Sequence, residues 1–252
     1  MDSDMRKQEI LAQARSQGSV DVRVLSAVLG VSPETVRRDL RSLEEHGLVK
    51  RIYGGAFPVE SAAYETTLAM RTQRQLPQKT RIAASAAELV GEAETIFIDE
   101  GFTPQLLADS LTDRPLTVVT ASLVTASILS SHPRVSVIQL GGRVRPGTAA
   151  TVGHDCTRML AGIVIDLAFL GANGISRDYG LTTPDPSVGE VKAQAVRSSK
   201  RRVLLGISRK FGVVNFSRFA EISDFETIVT DTGLSSIEAQ RYGTLGPQVI
   251  RV

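Results

Sequence analysis

The sequence predicts an α/β protein in two parts: three short helices with a small β-hairpin, then a doubly wound α/β domain with a mostly parallel sheet. Residues 1–56 are rich in charged residues and contain only short apolar repeats. From about residue 78, apolar, strand-like runs alternate with helix-like stretches. That alternation is typical of parallel sheets covered by helices. The residues between show little periodicity. We therefore expect domains over 1–57 and 79–252, joined by a linker over 58–78.

The first part contains a strong helix start. The hydroxyl of Ser32 can cap a helix, and Pro33 takes the first helical position, where its missing N–H would have no partner anyway. The apolar residues that follow recur at a helical spacing: Val36, Leu40 and Leu43. Two shorter helical patterns precede this segment, and residues 48–55 form two extended runs around a turn.

The second part contains seven predicted strands, which are mostly apolar on consecutive positions, as expected of strands covered on both faces. These strands are 95–99, 116–120, 135–140, 166–171, 202–207, 227–230 and 248–252. Helical patterns separate several of them, at 79–90, 104–110, 122–130, 155–161, 189–200 and 235–242. In such sheets, ligands bind at the carboxyl ends of the strands.

Composition excludes several classes of protein. No apolar run among the 252 residues reaches the roughly 20 that a membrane helix needs, and the charged N-terminus does not resemble a secretory signal. Cys156 is the single cysteine, and the three histidines, His46, His132 and His154, lie far apart. We therefore expect a cytoplasmic protein that has no disulfide framework, metal, cofactor or membrane partner.

Net charge gives no sign of a basic domain. Residues 1–56 hold 9 Lys and Arg against 8 Asp and Glu, a net charge of +1, and the remainder holds 20 against 19, again +1. If nucleic acid is a partner, its binding must therefore depend on a local patch.

The segment from Val20 to Leu48 provides such a patch. It has helix–turn–helix spacing, in which the second helix fits the DNA major groove and its N-terminal residues reach base edges. The polar groups suited to this role are Ser32, Thr35, Arg37, Arg38 and Arg41. Arginine suits guanine, the hydroxyls suit phosphate oxygens, and Lys50 and Arg51 on the hairpin would reach the DNA backbone or the minor groove.

A simpler interpretation is that this face of the helix is only exposed to solvent and does not bind DNA. The pairs Glu34–Arg38 and Arg41–Glu45 have i, i+4 spacing, and each could contribute about 0.2–0.5 kcal/mol of helix stability. The Ser-Pro start, the paired arginines and the basic hairpin occur together, however, and this combination favours DNA binding.

Residues 31–56, VSPETVRRDLRSLEEHGLVKRIYGGA, resemble the signature of the DeoR family of bacterial transcriptional regulators. The resemblance implies a winged helix and operator DNA as a partner. Val36 stands where the family usually has Ile, and Tyr53 stands where it commonly has His, which leaves an aromatic donor for DNA at that position.

The resemblance continues over 96–104, 116–123, 138–145, 166–175, 180–196 and 208–212. It implies a sensor domain with a fold similar to ribose-5-phosphate isomerase, which binds a phosphorylated sugar or related metabolite and so relieves repression. Glycine-rich strand ends suit an anion, because they expose backbone N–H groups. The predicted effector-binding residues are Asp99, Gly101, Thr103, Thr120, Ser122, Gly141, Gly142, Gly171, Gly174, Glu190, Lys192 and Lys210, with Lys79 or Arg81 as further cations.

Three residues depart from the family pattern: Phe102, Ala121 and Ile207. Each is apolar where the family has a polar group that is expected to face the ligand. Two outcomes are open. The pocket binds a less hydroxylated effector, with Arg209 adding charge, or the site is degenerate and the domain mainly serves dimerisation.

Alternative functions follow from the same residues. An isomerase-like enzyme could use Asp99, Glu190 or Lys192 as its acid–base groups, but the lost acid at position 207 and the DNA-reading segment argue against an enzyme. A DNA-binding protein without a small-molecule input is the other alternative. The family implies a homodimer or homotetramer, and operator half-sites would then mirror the two-fold symmetry of the protein.

Overall fold

The computed structural model describes residues 3–17, 19–45, 48–52, 54–58, 75–111, 114–145 and 148–252. The chain divides into two compact units, Met1–Tyr64 and Glu65–Val252. Most of the predicted linker, residues 59–74, lies outside the described residues, so its boundaries stay a prediction.

The first unit has the predicted three helices and hairpin. Its helices are α1 Ser3–Gln17, α2 Val22–Leu29 and α3 Pro33–Glu45. Its strands are β1 Val20–Asp21, β2 Val49–Ile52 and β3 Gly55–Pro58, which form an antiparallel sheet in the order β1-β3-β2. This is a winged helix–turn–helix, so the predicted fold of the first unit is confirmed.

Local side chains set the ends of these helices. The carboxylate of Asp21 accepts hydrogen bonds from the backbone N–H groups of Arg23 and Val24, which begins α2. Gly30, with a φ of 64°, ends α2 in the left-handed conformation that glycine favours. The apolar side chains share one core: Ile10, Leu11, Ala14, Val20, Val22, Leu25, Val36, Leu40, Leu43, Val49 and Ala56.

The second unit is built on a parallel sheet of seven strands, each of which overlaps a predicted strand. They are β4 Thr95–Ile98, β5 Leu116–Thr120, β6 Val135–Gln139, β9 Ile165–Gly171, β12 Ser199–Leu205, β14 Thr227–Thr230 and β15 Gln248–Arg251. Their order is β15-β14-β12-β9-β4-β5-β6, and every neighbouring pair is parallel. Strand order reverses between β4 and β9, which makes the sheet doubly wound, as predicted; in sheets of this kind, ligands bind at the carboxyl ends of the strands at that point.

Both faces of this sheet are buried. Ile96 and Ile98 belong to one apolar core and Phe97 belongs to the other, which explains the consecutive apolar residues. The described helices of the unit are α4 Leu76–Glu88, α5 Phe102–Gln105, α6 Leu123–Leu129, α7 His154–Ala161, α8 Pro186–Ser198 and α9 Ser236–Gly243. Within the described residues, no helix combines the length and the apolar character that crossing a bilayer requires.

Several elements differ from the predictions. Helix α4 begins at Leu76, inside the predicted linker, and α8 begins at Pro186 because Asp185 caps it. Among the described residues, six short strands were not predicted, and one of them is β1 of the first unit. The strands β7 Arg143–Arg145 and β8 Ala150–Val152 pair with each other, and β10 Gly174–Ser176, β11 Gly180–Thr183 and β13 Ser217–Ala220 form a small antiparallel sheet.

Candidate DNA-binding face and ligand site

Helix α3 has one buried and one exposed face. Val36, Leu40 and Leu43 lie in the core, whereas Arg37, Arg38 and Arg41 are exposed. Among the described residues, Glu34 pairs with Arg37 at 3.1 Å and not with Arg38, and neither Arg38 nor Arg41 forms an ion pair. The i, i+4 pairs of the solvated-face interpretation are therefore not formed, and two guanidinium groups remain available to a partner.

The start of α3 presents two hydroxyl groups. The Oγ of Ser32 accepts a hydrogen bond from the backbone N–H of Thr35 at 3.2 Å, and the two hydroxyl oxygens lie 2.9 Å apart. Both bonds are exposed, and a hydroxyl that accepts one bond can still donate another. The capping arrangement is therefore compatible with the predicted phosphate contacts.

The hairpin is tied to α3 by an ion pair. The Nε of Arg51 lies 2.6 Å from Oε2 of Glu44, and the backbone N–H of Arg51 donates to the other carboxylate oxygen at 3.0 Å. The pair uses Nε, so among the described contacts the two Nη groups of Arg51 can still donate to a phosphate on DNA while Glu44 stays bound. The side chain of Lys50 and the whole of Tyr53 lie outside the described residues. All eight DNA-binding assignments stay predictions.

In the second unit, the ends of β4 and β9 meet around Asp99. One carboxylate oxygen of Asp99 accepts a hydrogen bond from the backbone N–H of Gly171 at 2.9 Å and forms an ion pair with the ammonium of Lys192. Lys192 also donates to the carbonyl oxygen of Gly171 at 3.2 Å. Asp99 is 1% exposed and Lys192 is 2% exposed. The predicted hydroxyl acceptor and the predicted phosphate-binding cation therefore bind each other.

The surroundings of this pair are charged and apolar. Burial raises the pKa of the Asp99 carboxyl, the ammonium of Lys192 opposes that shift, and the neighbouring Glu100 adds to it. An oxygen of Glu100 lies 3.6 Å from the Lys192 nitrogen, and the Phe219 ring centre lies 5.7 Å from it. Lys192 thus lies within ion-pair distance of two carboxylates, and a phosphate would have to compete with both for its ammonium.

The polar residues at the end of β5 are also bonded within the chain. The hydroxyl of Thr120 donates to the carbonyl oxygen of Ile98 at 2.7 Å and accepts from the N–H of Ser122 at 3.0 Å. The Nε2 of Gln105 donates to the Oγ of Ser122 at 3.0 Å. Thr103 is buried as well. These hydrogen bonds within the chain stabilise this edge of the sheet in the conformation that the structure shows.

The predicted glycines divide into two kinds. A Cβ added to Gly171 would meet only ordinary contacts, with an oxygen of Asp99 at 3.5 Å, and one added to Gly101 would lie 3.3 Å from Cδ of Pro104. A Cβ on Gly142 or Gly174 would lie 2.6 or 2.4 Å from a backbone carbonyl oxygen. Backbone packing therefore explains glycine at 142 and 174 without a ligand. No described contact joins Gly141, Gly142, Gly174 or Glu190 to Asp99.

Cations other than Lys192 lie nearer the solvent. The ammonium of Lys210 donates to the carbonyl oxygen of Ala172 and is only partly buried, and Arg209 and Arg81 are exposed. The ammonium of Lys79 lies 5.2 Å from the centre of the Phe102 ring, although Lys79 itself is buried. Lys210 is therefore the best placed of the predicted cations to meet a ligand at this edge.

The three departures from the family pattern lie in different environments. Phe102 is partly exposed, whereas Ala121 and Ile207 are 1% and 4% exposed and belong to the two apolar cores. Phe102 is thus the one replacement among these three that remains accessible to a ligand.

Some polar contacts of the same unit are not predictable from the sequence. Arg145 forms an ion pair with Asp185 at 3.0 Å and also donates to the hydroxyl of Thr148. Arg145 lies in a stretch that resembles the family, but no residue spacing in the sequence predicts its contact with Asp185.

These features define a class of protein: a regulator in which a winged helix–turn–helix unit accompanies a doubly wound α/β unit. Residues 6–62 match the DeoR-like helix-turn-helix domain, and residues 74–232 match the DeoR C terminal sensor domain. The chain belongs to the DeoR family of HTH-type transcriptional regulators.

Relatives of similar length support this assignment. The chain is 33% identical to a Bacillus subtilis protein described as an uncharacterized HTH-type transcriptional regulator, FruR, over 90% of each chain. It is 32% identical to the HTH-type transcriptional regulator GlpR of Haloferax volcanii, over 97% of this chain and 96% of that one. It is 33% identical to the lactose phosphotransferase system repressor of Staphylococcus epidermidis, over 90% and 91%.

Similarity to solved structures is weaker. Ribose 5-phosphate isomerase A from Methanocaldococcus jannaschii matches 53% of this chain and 53% of its own, with a TM-score of 0.36 and 16% identity. That degree of similarity carries no conclusion about function.

Proposed function

We propose that this protein represses a carbohydrate-metabolism operon by binding its operator through α3, and that a phosphorylated sugar or related metabolite bound in the second unit relieves the repression. The observation that carries the DNA-binding face is the exposure of Arg38 and Arg41, which form no ion pair among the described residues. The name of the staphylococcal lactose repressor supports the choice of a carbohydrate operon.

The proposed contacts follow the chemistry of each group. Arg38 and Arg41 read base edges in the major groove, where a guanidinium group can donate two bonds to one guanine. Ser32 and Thr35 bind phosphate oxygens at the start of the helix, and Arg37 turns from Glu34 to DNA. Lys50, Arg51 and Tyr53 on the hairpin contact the DNA backbone or the minor groove.

Fluorescence anisotropy with labelled promoter fragments tests this face. One bidentate contact contributes about 1–3 kcal/mol, so Arg38→Ala and Arg41→Ala should each weaken operator binding by roughly 5- to 150-fold. Arg158→Ala is the matched control, because Arg158 is an exposed helical arginine of the second unit. Unchanged operator binding by both α3 variants would overturn the proposed face.

The proposed effector site lies at the carboxyl edge of the parallel sheet. Lys210 supplies the cation for the anionic group, Arg209 adds charge, and the loops at Gly101, Gly141 and Gly171 supply backbone N–H groups. The remaining predicted residues, Asp99, Thr103, Thr120, Ser122, Gly142, Gly174, Glu190 and Lys192, shape this edge. Phe102 replaces a polar group there, which favours an effector with fewer hydroxyl groups than a sugar phosphate of the usual kind.

A thermal-shift screen separates this proposal from a regulator without an effector. Ribose 5-phosphate, glucose 6-phosphate, glycerol 3-phosphate and inorganic phosphate are suitable probes. A compound that binds only the folded state raises the melting temperature, and Lys210→Met should remove that rise whereas Arg158→Ala should keep it. If no probe shifts the melting temperature or weakens operator binding, the second unit has no sugar-phosphate input.

We propose that the protein is not an enzyme, that it acts in the cytoplasm, and that a homodimer or homotetramer binds the operator. The relatives are named as transcriptional regulators. Asp99 accepts bonds from Lys192 and Gly171 and is therefore not poised to remove a substrate proton. An isomerase assay with pentose and hexose phosphates tests the first statement, and light scattering of the protein with and without DNA tests the oligomer.

A further inference from the structure

A buried ion pair joins α1 to α3 on the face opposite the exposed arginines. The Nε of Arg6 lies 2.6 Å from Oδ2 of Asp39, and Nη2 of Arg6 donates to Oδ1 at 3.2 Å. Arg6 is 7% exposed and Asp39 is 2% exposed. Two parallel N–H···O bonds between planar groups restrain both the distance and the orientation of the partners.

The position of Asp39 within α3 gives this pair its significance. Asp39 lies one residue after Arg38 and two residues before Arg41, so its carboxylate fixes the helical turn that carries both. Successive residues of an α-helix are about 100° apart around the axis. A small rotation of α3 would therefore move both guanidinium groups away from the base edges that they must reach.

A second polar contact holds the C-terminal end of the helix, whereas Asp39 lies near its middle. Glu44 of α3 binds both the guanidinium group and the backbone N–H of Arg51 in β2. Apolar side chains alone allow some rotation and sliding, because apolar contacts have no preferred direction. The two anchors, Asp39 to α1 and Glu44 to β2, restrain the rotation and the axial position of α3.

We infer that Arg6 is a positioning residue for operator recognition, which acts on DNA through Asp39 without touching it. This inference rests on the proposed DNA-binding face of α3. The guanidinium fork aligns α3 so that Arg38 and Arg41 meet the correct bases. It contributes to discrimination between the operator and other duplexes, and not to general affinity for DNA.

The test compares specificity with stability in the full-length protein. The double variant Arg6→Met/Asp39→Leu replaces the pair with apolar groups, a change that is often neutral or stabilising for the fold. The measured quantity is the ratio of operator affinity to random-duplex affinity at fixed salt. We expect the ratio to fall about tenfold or more, the loss that a misplaced base contact produces, with an unchanged melting temperature. Random-duplex affinity and its salt dependence should stay unchanged, because Arg6 is buried and binds no phosphate.

A conservative variant covers the case in which the double variant does not fold. Arg6→Lys keeps the charge and loses the two-pronged geometry, so the ratio should fall by several-fold, and Asp39→Glu should not restore it. A wild-type ratio in the folded double variant, or in Arg6→Lys, would overturn the inference.

Arg38→Ala separates the two proposals. If Arg38→Ala binds the operator as tightly as wild type, the proposed DNA-binding face fails. If Arg38→Ala loses operator binding while the Arg6 variants keep the wild-type ratio, only the positioning role fails.

Discussion

Lys192 of α8 and Asp99 after β4 form an ion pair inside the second unit, although 93 positions separate them in the sequence. Both residues belong to the set that the sequence predicts for effector binding. Their mutual contact leaves Lys210 and Arg209 as the cations nearer the solvent at this edge. A ligand that used Lys192 would first have to displace a carboxylate, so the proposed effector should bind through Lys210 and Arg209 instead.

Removal of either partner of this pair should destabilise the second unit. Lys192→Met leaves the buried carboxylate of Asp99 without its counter-ion, which typically costs about 3–5 kcal/mol. Asp99→Asn should cost less, because Glu100 still lies 3.6 Å from the Lys192 nitrogen. The double variant Asp99→Leu/Lys192→Met should cost clearly less than the sum of the single changes, because the two residues are in contact. Urea unfolding followed by circular dichroism measures this cycle. Additive losses would contradict a coupled pair.

Asp166 should make stability depend on pH. The hydrogen bond from Lys200, followed by those from the backbone N–H groups of Thr95 and Glu94, lowers the pKa of Asp166 below its ordinary value of 3.8. A lowered pKa in the folded state adds stability above pH 3.8, and this is lost as the pH falls through the folded-state pKa. Asp166→Asn should therefore lower the melting temperature at pH 7, and the difference from wild type should shrink below pH 3.8. An equal difference at both pH values would contradict this assignment.

Cys156 should be unreactive in the folded protein. Burial raises the pKa of its thiol to about 11, although a hydrogen bond with Thr151 opposes the shift. Only the thiolate reacts with a disulfide reagent, so labelling by 5,5′-dithiobis(2-nitrobenzoate) at pH 8 should be slow until guanidinium is added. One thiol per chain should then react. Rapid labelling of the native protein would show that Cys156 is accessible.

Gly55 should be required for the pairing of β3 with β1 in the first unit. A Cβ at this position would lie 2.1 Å from the backbone carbonyl oxygen of Val20, in the strand next to it. Gly55→Ala should separate β1 from β3 and destabilise the first unit by about 1–3 kcal/mol, with a loss of operator binding. Gly243→Ala is the matched control, because an added Cβ there meets no atom within 4 Å. Equal melting temperatures and operator affinities for the two variants would contradict the close approach.

The sequence predicts the seven parallel strands well for a physical reason. Each strand is buried on both faces, as Ile96, Phe97 and Ile98 illustrate, and this produces consecutive apolar residues that stand out from the helical patterns. The three helices and the hairpin of the first unit are predicted equally well, because capping residues and glycines mark the helix ends in the sequence. The predicted α/β architecture and the predicted membership of the DeoR family are confirmed.

The unpredicted elements depend on pairing between distant residues. Strands such as β10 and β13 are three or four residues long and carry no clear alternation, and Thr182 of β11 pairs with Arg218 of β13 across 36 positions. The contacts of the candidate site are equally hard to predict, because they also join residues that are distant in the sequence. The sequence offers Asp99 and Lys192 as candidates, but no spacing rule reveals that they neutralise each other. It likewise gives no sign that Arg6 holds Asp39.

The most direct test of the central claim is selection of binding sites by the purified protein. Fragments of the genome that encodes it are incubated with the protein at physiological ionic strength, and the bound DNA is sequenced. We predict enrichment of a discrete site with two symmetric halves, which Arg38→Ala reduces and Arg158→Ala preserves. The absence of enrichment over random duplex, with or without sugar phosphates, would contradict the account.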